Sequence, residues 1–403
     1  MGQVYSNAVC TLKADSAKSC MESFLRMRDD LWREAVPIHI NRYGTESQIF
    51  VRLLPYVEAC PTDARGWILQ ETLLSKRLIG FTHSQVVFSC GGGRITEDGD
   101  LREESRWLIE EAREVWLRIE PENAAWLWRS IVVDYSYRKL SRVEDKLAAI
   151  AGLASAHKIR NLSADQYLGG LWRSSFIQDL IWRPETNENL THLDKVQPPL
   201  VGYPSWSWSR VDGPINYPQN ETYEVLDGYT SLVGVRFCRQ DEAEFDPRPS
   251  IEVTLEGPSV AIELYSSPTE KTLHWKPVSA TWKKNYNSLT LDFPVEAVKM
   301  SSDKSQITLV PSLRHTDNEL HGLRVKAHFI LLCTDCELAP HAYFLLLVPS
   351  SVDETKYVRI GLYYDFFGFL ATARSTRRAK QAKLKRLESW LTQRMEKRSF
   401  VVI

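Results

Sequence analysis

Arg65-Gly66-Trp67-Ile68-Leu69-Gln70-Glu71-Thr72-Leu73-Leu74-Ser75-Lys76-Arg77 is the stretch whose reading organises the chain. Pro61-Thr62-Asp63 supplies a helix-opening signal, so a helix is expected over 62–74. On that helix Trp67 and Glu71 lie one turn apart on one face, while Leu69 and Leu73 share another face that can pack inward. A carboxylate beside an aromatic ring loses solvation and becomes usable as a general acid or base, or as a partner for a developing cation. Glu71 is therefore the candidate chemical residue. The plainer alternative is a glutamate on a solvated face, or one paired with Arg65 or Arg77.

Working outward, 77–90 is expected to form two strands separated by His83-Ser84 turn chemistry and ended by Gly91-Gly92-Gly93. Residues 7–13 look strand-like and 17–29 helix-like. Residues 1–100 thus form a small α/β segment. A helical region over 101–197 follows, with Trp107, Ile109, Ala112, Trp116 and Ile119 near a helical repeat. Trp126, Ile131 and Val133 continue it. Ser141-Arg142-Val143-Glu144 has the pattern of a capping box ahead of Leu147, Ile150, Ala151 and Ala154. From 198 to 403 short β-branched and aromatic runs at 250–255, 260–264, 288–293, 325–332 and 357–364 predict a β-rich domain. Within it 374–398 reads as a basic helix, with Leu384, Leu387 and Leu391 at helical spacing, and a final strand covers 400–403. The fold class expected is α+β.

Composition bounds what such a chain can do. At 403 residues it exceeds the size of one hydrophobic core. Fifty basic and 51 acidic side chains nearly cancel, so no global field favours nucleic acid or an anionic membrane. No run reaches the ~18 apolar residues of a membrane span, and no secretory signal opens the chain. Seven scattered cysteines fit reduced thiols in a cytoplasmic protein.

Other motifs have weaker chemical content. Trp206 and Trp208 alternate with Ser205, Ser207 and Ser209, which on a strand puts both rings on one face and the three hydroxyls on the other. The choice there is an aromatic stacking platform or a buried structural strand, and the second is preferred because no basic groove flanks it. Trp172 and Trp182 read as packing anchors on a helix. Cys333-x-x-Cys336, with His328 and His341 nearby, lacks the second pair that would complete a zinc site, so no metal is expected. The basic helix could meet an acidic partner or membrane surface, but a docked helix with one solvated face suffices. No phosphate-binding glycine motif or nucleophile elbow is present, and no cofactor is expected.

Arg65-x-Trp67-x-x-Gln70-Glu71 followed by Leu74-Ser75-x-Arg77 resembles the end of the fungal heterokaryon-incompatibility (HET) domain. Further stretches resemble the same protein type in the same order. They are Met1-Gly2-Gln3-Val4-Tyr5-Ser6-Asn7-Ala8 leading to Leu12-Lys13-Ala14, and Tyr135-Ser136-x-Arg138-x-Leu140-Ser141 with Asp145-Lys146-Leu147-x-Ala149-Ile150-x-Gly152. Tyr167-x-x-Gly170-Leu171-Trp172 and Pro204-Ser205-Trp206-Ser207-Trp208-Ser209 complete the set. The family's usual opening strands are not found, so the sequence is expected to lack the first part of the domain. For that reason the myristoylation-like Met1-Gly2-Gln3-Val4-Tyr5-Ser6 is discounted.

The resemblance implies a cytoplasmic fungal protein of non-self recognition, or allorecognition, and programmed cell death, with a protein partner. HET domains are distantly similar to TIR domains, some of which cleave NAD through a helix-borne glutamate. That implies a partial TIR-like segment, with Glu71 as the catalytic carboxylate, Arg65, Trp67 and Gln70 supporting it, and NAD(P) glycohydrolase activity where the domain is complete. The cofactor-binding residues stay open. A third expectation is a non-enzymatic interaction protein.

Overall fold

The computed structural model describes residues 2–25, 36–42, 45–51, 60–91, 93–97, 124–161, 163–185, 200, 202–217, 227–241, 243–266, 273–277, 288–291, 298–300, 307–309, 324–335, 341–366, 389 and 395–403. It has both helices and strands and is an α+β protein. Two compact units are formed by Met1–Ser141 with Ala149–Asn161, and by Arg142–Ala148 with Leu162–Ile403. The 101–123 helix face expected from Trp107 to Ile119, and most of the basic segment, lie outside the described residues.

In the first unit, helix α1 (Gly2–Asn7) precedes strand β1 (Thr11–Lys13). A hairpin of β2 (Val36–Arg42) and β3 (Thr45–Val51), not among the elements expected from the sequence, comes next. A 3-10 turn at Pro61–Ala64 then leads into α2 (Gly66–Leu74), followed by β4 (Arg77–Phe81), β5 (Val86–Cys90) and β6 (Gly93–Thr96). β1 and β4 run parallel, with α2 as their crossover, and β4, β5 and β6 form an antiparallel meander. Parallel strands need such a crossover, and the apolar face of α2 supplies its packing: Leu69 and Leu73 are each 1% exposed. The helix expected over 17–29 does not form in its described part, where 17–25 is turn and bend. Ser16 donates its backbone N–H to the Phe81 carbonyl at 2.9 Å, tying this stretch to the end of β4 instead.

α3 (Ala124–Ser136) and α4 (Ala148–Asn161) complete the unit. Leu127, Trp128, Ile131 and Val132 of α3 are buried, as are Ile150, Leu153 and Ala154 of α4. The expected capping box is not the start of α4. Val143–Asp145 forms a separate 3-10 turn whose cap residue, Arg142, makes no side-chain cap. The turn is diverted because Lys146 is buried and donates its Nζ to the Val211 carbonyl within the second unit.

After Arg142–Ala148 the second unit continues with a minimal hairpin, β7 (Tyr167–Leu168) and β8 (Leu171–Trp172), turned by Gly169 and Gly170 at φ +47° and +109°. Helix α5 (Phe176–Asp179) follows, and β9 (Arg183–Pro184) pairs with β10 (Ile215–Asn216). Thus Trp172 lies on a strand and Trp182 after α5; both anchor packing, but neither is on a helix. Nor do Trp206 and Trp208 form a strand. Residues 204–207 turn, and Trp208–Arg210 is a 3-10 helix capped by the Ser207 hydroxyl. Both rings and all three serines are buried, so no exposed stacking platform exists.

The remaining strands build one large sheet. They are β11 (Asp227–Gly228), β12 (Ser231–Phe237), β13 (Ile251–Ser266), β14 (Leu273–Pro277) and β15 (Ser288–Leu291), then, after a detached hairpin of β16 (Val298–Met300) and β17 (Ile307–Leu309), β18 (Arg324–Asp335), β19 (His341–Pro349), β20 (Lys356–Phe366) and β21 (Glu396–Val402). The order β18-β19-β20-β21-β13 closes on itself because β13 also pairs with β18, making a barrel. Ser259 is the residue at which closure occurs: it opposes Ile330 of β18 and Glu396 of β21, so those strands lie on opposite edges of β13. Glu396, Lys397 and Arg398, expected at the end of the basic helix, are strand residues held in this ladder. The Lys397–Glu256 ion pair at 2.5 Å spans the two strands.

Val260, Ile262, Leu264, Phe329, Leu331, Phe344 and Leu346 fill the barrel. Each such fully buried side chain contributes roughly 1.5–3 kcal/mol. Val358 and Ile360 pack on the same core. By strand alternation Arg359 between them faces the other way, where it is fully buried. Its guanidinium donates to the Leu180 carbonyl at 2.7 Å and the Trp182 carbonyl at 2.6 Å and stacks 3.6 Å from the Trp182 ring centroid.

Arg359→Ala strands those two carbonyls and empties the stack. In a urea titration it should lower unfolding free energy by about 3–5 kcal/mol. Lys146 gives a pH-dependent counterpart, since burial pushes its amine down to about 8 from 10.5, against a smaller opposing pull from Asp212. The folded value lies below the unfolded one, so the cost of burying the charge is full below pH 8 and is relieved as pH rises toward 10.5. Wild type should therefore gain about 2 kcal/mol relative to Lys146→Met between pH 7.5 and pH 10, measured by denaturant midpoint.

Candidate functional site

The residues singled out in the sequence meet on α2. Its cap position, Arg65, is exposed and makes no side-chain cap. The backbone does that work: Gly66 N–H donates to the Lys139 carbonyl at 2.8 Å, and Lys139 N–H to the Ala64 carbonyl at 2.7 Å. The Arg65 carbonyl accepts from Arg138 Nη1 at 3.4 Å. A Cβ at Gly66 would lie 2.6 Å from Leu140 Cδ2, so a larger residue there would push the Leu140 side chain aside.

Trp67 and Glu71 are both half-buried and, four apart on α2, share a face. Gln70 is turned elsewhere. Its Oε1 accepts the Gly152 N–H at 2.8 Å, and it is 2% exposed. A Cβ at residue 152 would stand 2.4 Å from that oxygen and 3.2 Å from the Gly2 Cα. Gln70 therefore locks α2 to α4, while Arg65 contributes its main chain.

Tyr5 is the other group whose ionisation answers to Glu71. Burial, followed by the influence of the Glu71 carboxylate, pushes the Tyr5 phenol of α1 up to about 12. The face thus offers a half-buried carboxylate with an indole one turn away. Such a group can accept hydroxyl donors or stabilise a nearby cation. The signal was Tyr5 within Val4-Tyr5-Ser6-Asn7-Ala8, but no local spacing links it to Glu71.

A second charged cluster lies where β1 ends. Lys13 Nζ is 2.6 Å from Asp63 Oδ1 and 2.9 Å from Asp15 Oδ1, and the Thr62 hydroxyl donates to Asp15. Burial disfavours the Lys13 charge, but Asp63 and Asp15 outweigh it and hold the amine above its ordinary value. Burial, followed by Asp15 and Asp63, pushes the Cys60 thiol up to about 12, leaving it a poor nucleophile. Lys13, Asp15 and Thr62 thus have close partners within the cluster, the arrangement of a structural network.

Among the described residues no group of His, Cys, Asp and Glu could hold a metal ion. His328 packs against Tyr357 and Phe400, with ring centroids 5.8 and 5.2 Å away. The Cys333, Cys336 and His341 side chains lie outside the described residues. Cys10, Cys20, Cys60, Cys90 and Cys238 carry no disulfide. Among the described residues no helix is long and apolar enough to cross a membrane.

No family model matches the chain, and no curated protein or solved structure proved similar to it.

Gly152→Ala drives a methyl into the Gln70 amide and the α1 backbone. It should lower thermal stability by about 1–3 kcal/mol equivalent in calorimetry, with Gln70→Ala in the same chain relieving part of the loss.

Proposed function

We propose that this chain is a heterokaryon-incompatibility-type protein that acts in non-self recognition and drives programmed cell death. In this reading the first unit carries a partial TIR-like HET segment and 198–403 forms a β-rich domain that meets a protein partner. The observation that carries it is the ordered motif set from Met1 to Ser209. It gains support from contacts between motif residues distant in sequence. Gln70 of one motif accepts from Gly152 of another, and Trp208 Nε1 donates to the Gly170 carbonyl at 3.0 Å. A Cβ at Gly170 would lie 2.6 Å from that nitrogen, which explains why a glycine stands there.

The half-buried Glu71 favours a chemical version of the reading, NAD(P) glycohydrolase activity. Glu71 would accept the ribose hydroxyls and stabilise the oxocarbenium-like transition state as nicotinamide leaves, as carboxylates do in glycoside cleavage. Its warrant is analogy between folds. Arg65 and Gln70 enter as supports of α2, and Trp67 as the neighbouring ring.

Inducible expression of wild type and Glu71→Gln in a filamentous fungus, scored for cell death, separates these readings. In parallel, nicotinamide release from NAD is followed with the purified proteins. Death with wild type and turnover reduced ~10²–10⁴-fold in Glu71→Gln is expected for the enzyme. Death from both proteins without NAD cleavage leaves a non-enzymatic interaction protein. No death from either contradicts the reading as a death effector.

A further inference from the structure

We propose that the β2–β3 hairpin is a self-association surface, which packs face to face against the same hairpin of a second copy of this chain.

Strand register sorts the hairpin into two unlike faces. Val36 opposes Val51, Ile38 opposes Ile49 and Ile40 opposes Ser47, and alternation along each strand puts these three pairs on one side. His39 opposite Gln48 and Asn41 opposite Glu46 fall on the other side. The first face is five branched aliphatics and a serine, without a charge. Its five aliphatics keep between 38% and 62% of their surface exposed. Among the described residues β2 and β3 pair only with each other. A lone two-stranded hairpin is marginal in water and gains stability by packing its apolar face on another element.

The size and chemistry of this face select the occupant. Its exposed apolar surface is on the order of 400 Å² per copy, the scale at which a patch marks an interaction site, and about half of what one partner gives to a standard interface. Two such faces in contact therefore make a weak dimer that forms with concentration. A two-fold axis lays the surface on itself without opposing like charges, at the ~10 Å spacing of packed sheets. The open strand edges then stay at the rim, in water. Insertion into a lipid surface would carry those edges into hydrocarbon, where their N–H and C=O groups find no partner. Nucleic acid has nothing to bind on an uncharged aliphatic face.

Sedimentation equilibrium of the full chain over about 1–100 µM tests this, the range of weak association. Two matched double variants place the same opposite charges on directly opposed residues, which keeps the ladder paired. Ile38→Lys with Ile49→Glu charges the apolar face and should weaken association about tenfold or more. His39→Lys with Gln48→Glu charges the other face and should change it by less than about twofold. Ile49→Thr keeps a β-branched side chain in the strand and should weaken association in the same direction, which covers a loss of folding in the first double variant. A chain that stays monomeric throughout the range overturns the proposal, including when a different protein proves to occupy the face. So does a dimer that both double variants weaken equally, since pairing through the strand edges or through another surface would not distinguish the two faces.

Discussion

The second unit depends on one buried cation. Arg359 sits on β20 with Val358 and Ile360 packed into the barrel on either side, so the chain cannot turn its side chain inward without displacing apolar groups. Burial of a guanidinium is costly unless its donors are used and its charge is answered. Here two carbonyls from the α5 region accept it and the Trp182 ring covers it. Its own backbone N–H donates to the Ser205 hydroxyl at 3.0 Å, and that serine bonds in turn to the Ile403 carbonyl. One residue thus ties β20, the α5 region, the tryptophan-serine segment and the closing strand β21 together.

That arrangement explains why the tryptophan-serine segment is a turn rather than a strand. A strand would put its hydroxyls on one face, away from its rings. The fold needs both buried: Trp182 Nε1 donates to the Trp206 carbonyl at 3.0 Å, the Ser207 hydroxyl bonds to the Gly169 carbonyl, and Ser209 N–H bonds back to Ser207. Only the Ser207–Ser209 bonds are local; the other polar groups reach Gly169, Gly170 and Ile403, which a turn and 3-10 helix can present to them and a regular ladder does not. Alternation of residue types is shared by both structures, so the sequence pattern alone was ambiguous.

Elements whose stability is local were legible. The α2 helix, the β4–β5 pair and the strands around 325–332 and 357–364 all followed from apolar period and turn residues, whereas the runs expected at 250–255 and 260–264 are one continuous strand, β13. What could not be read was whatever depends on distant partners: barrel closure at Ser259, the diversion at Lys146 and the extended form of Glu396–Arg398, which β13 imposes. In the described part, 17–25, the expected helix gives way to turns tied to β4 through Ser16. The site divides the same way. The shared face of Trp67 and Glu71 came from a four-residue spacing, whereas Tyr5, 66 residues earlier by the numbering, and the Lys13–Asp63 pair have no sequence signature.

The most direct test of this architecture is hydrogen exchange at the amides of Ser205, Arg359 and Ile403, which bond respectively to the Ile403 carbonyl, the Ser205 hydroxyl and the Tyr357 carbonyl. If the buried guanidinium unites these segments, the three amides exchange together, at the slow rate of global unfolding of the unit. Fast exchange at Ser205 and Ile403 while Arg359 stays protected would contradict the account, because the closing strand and the tryptophan-serine segment would then open independently of β20.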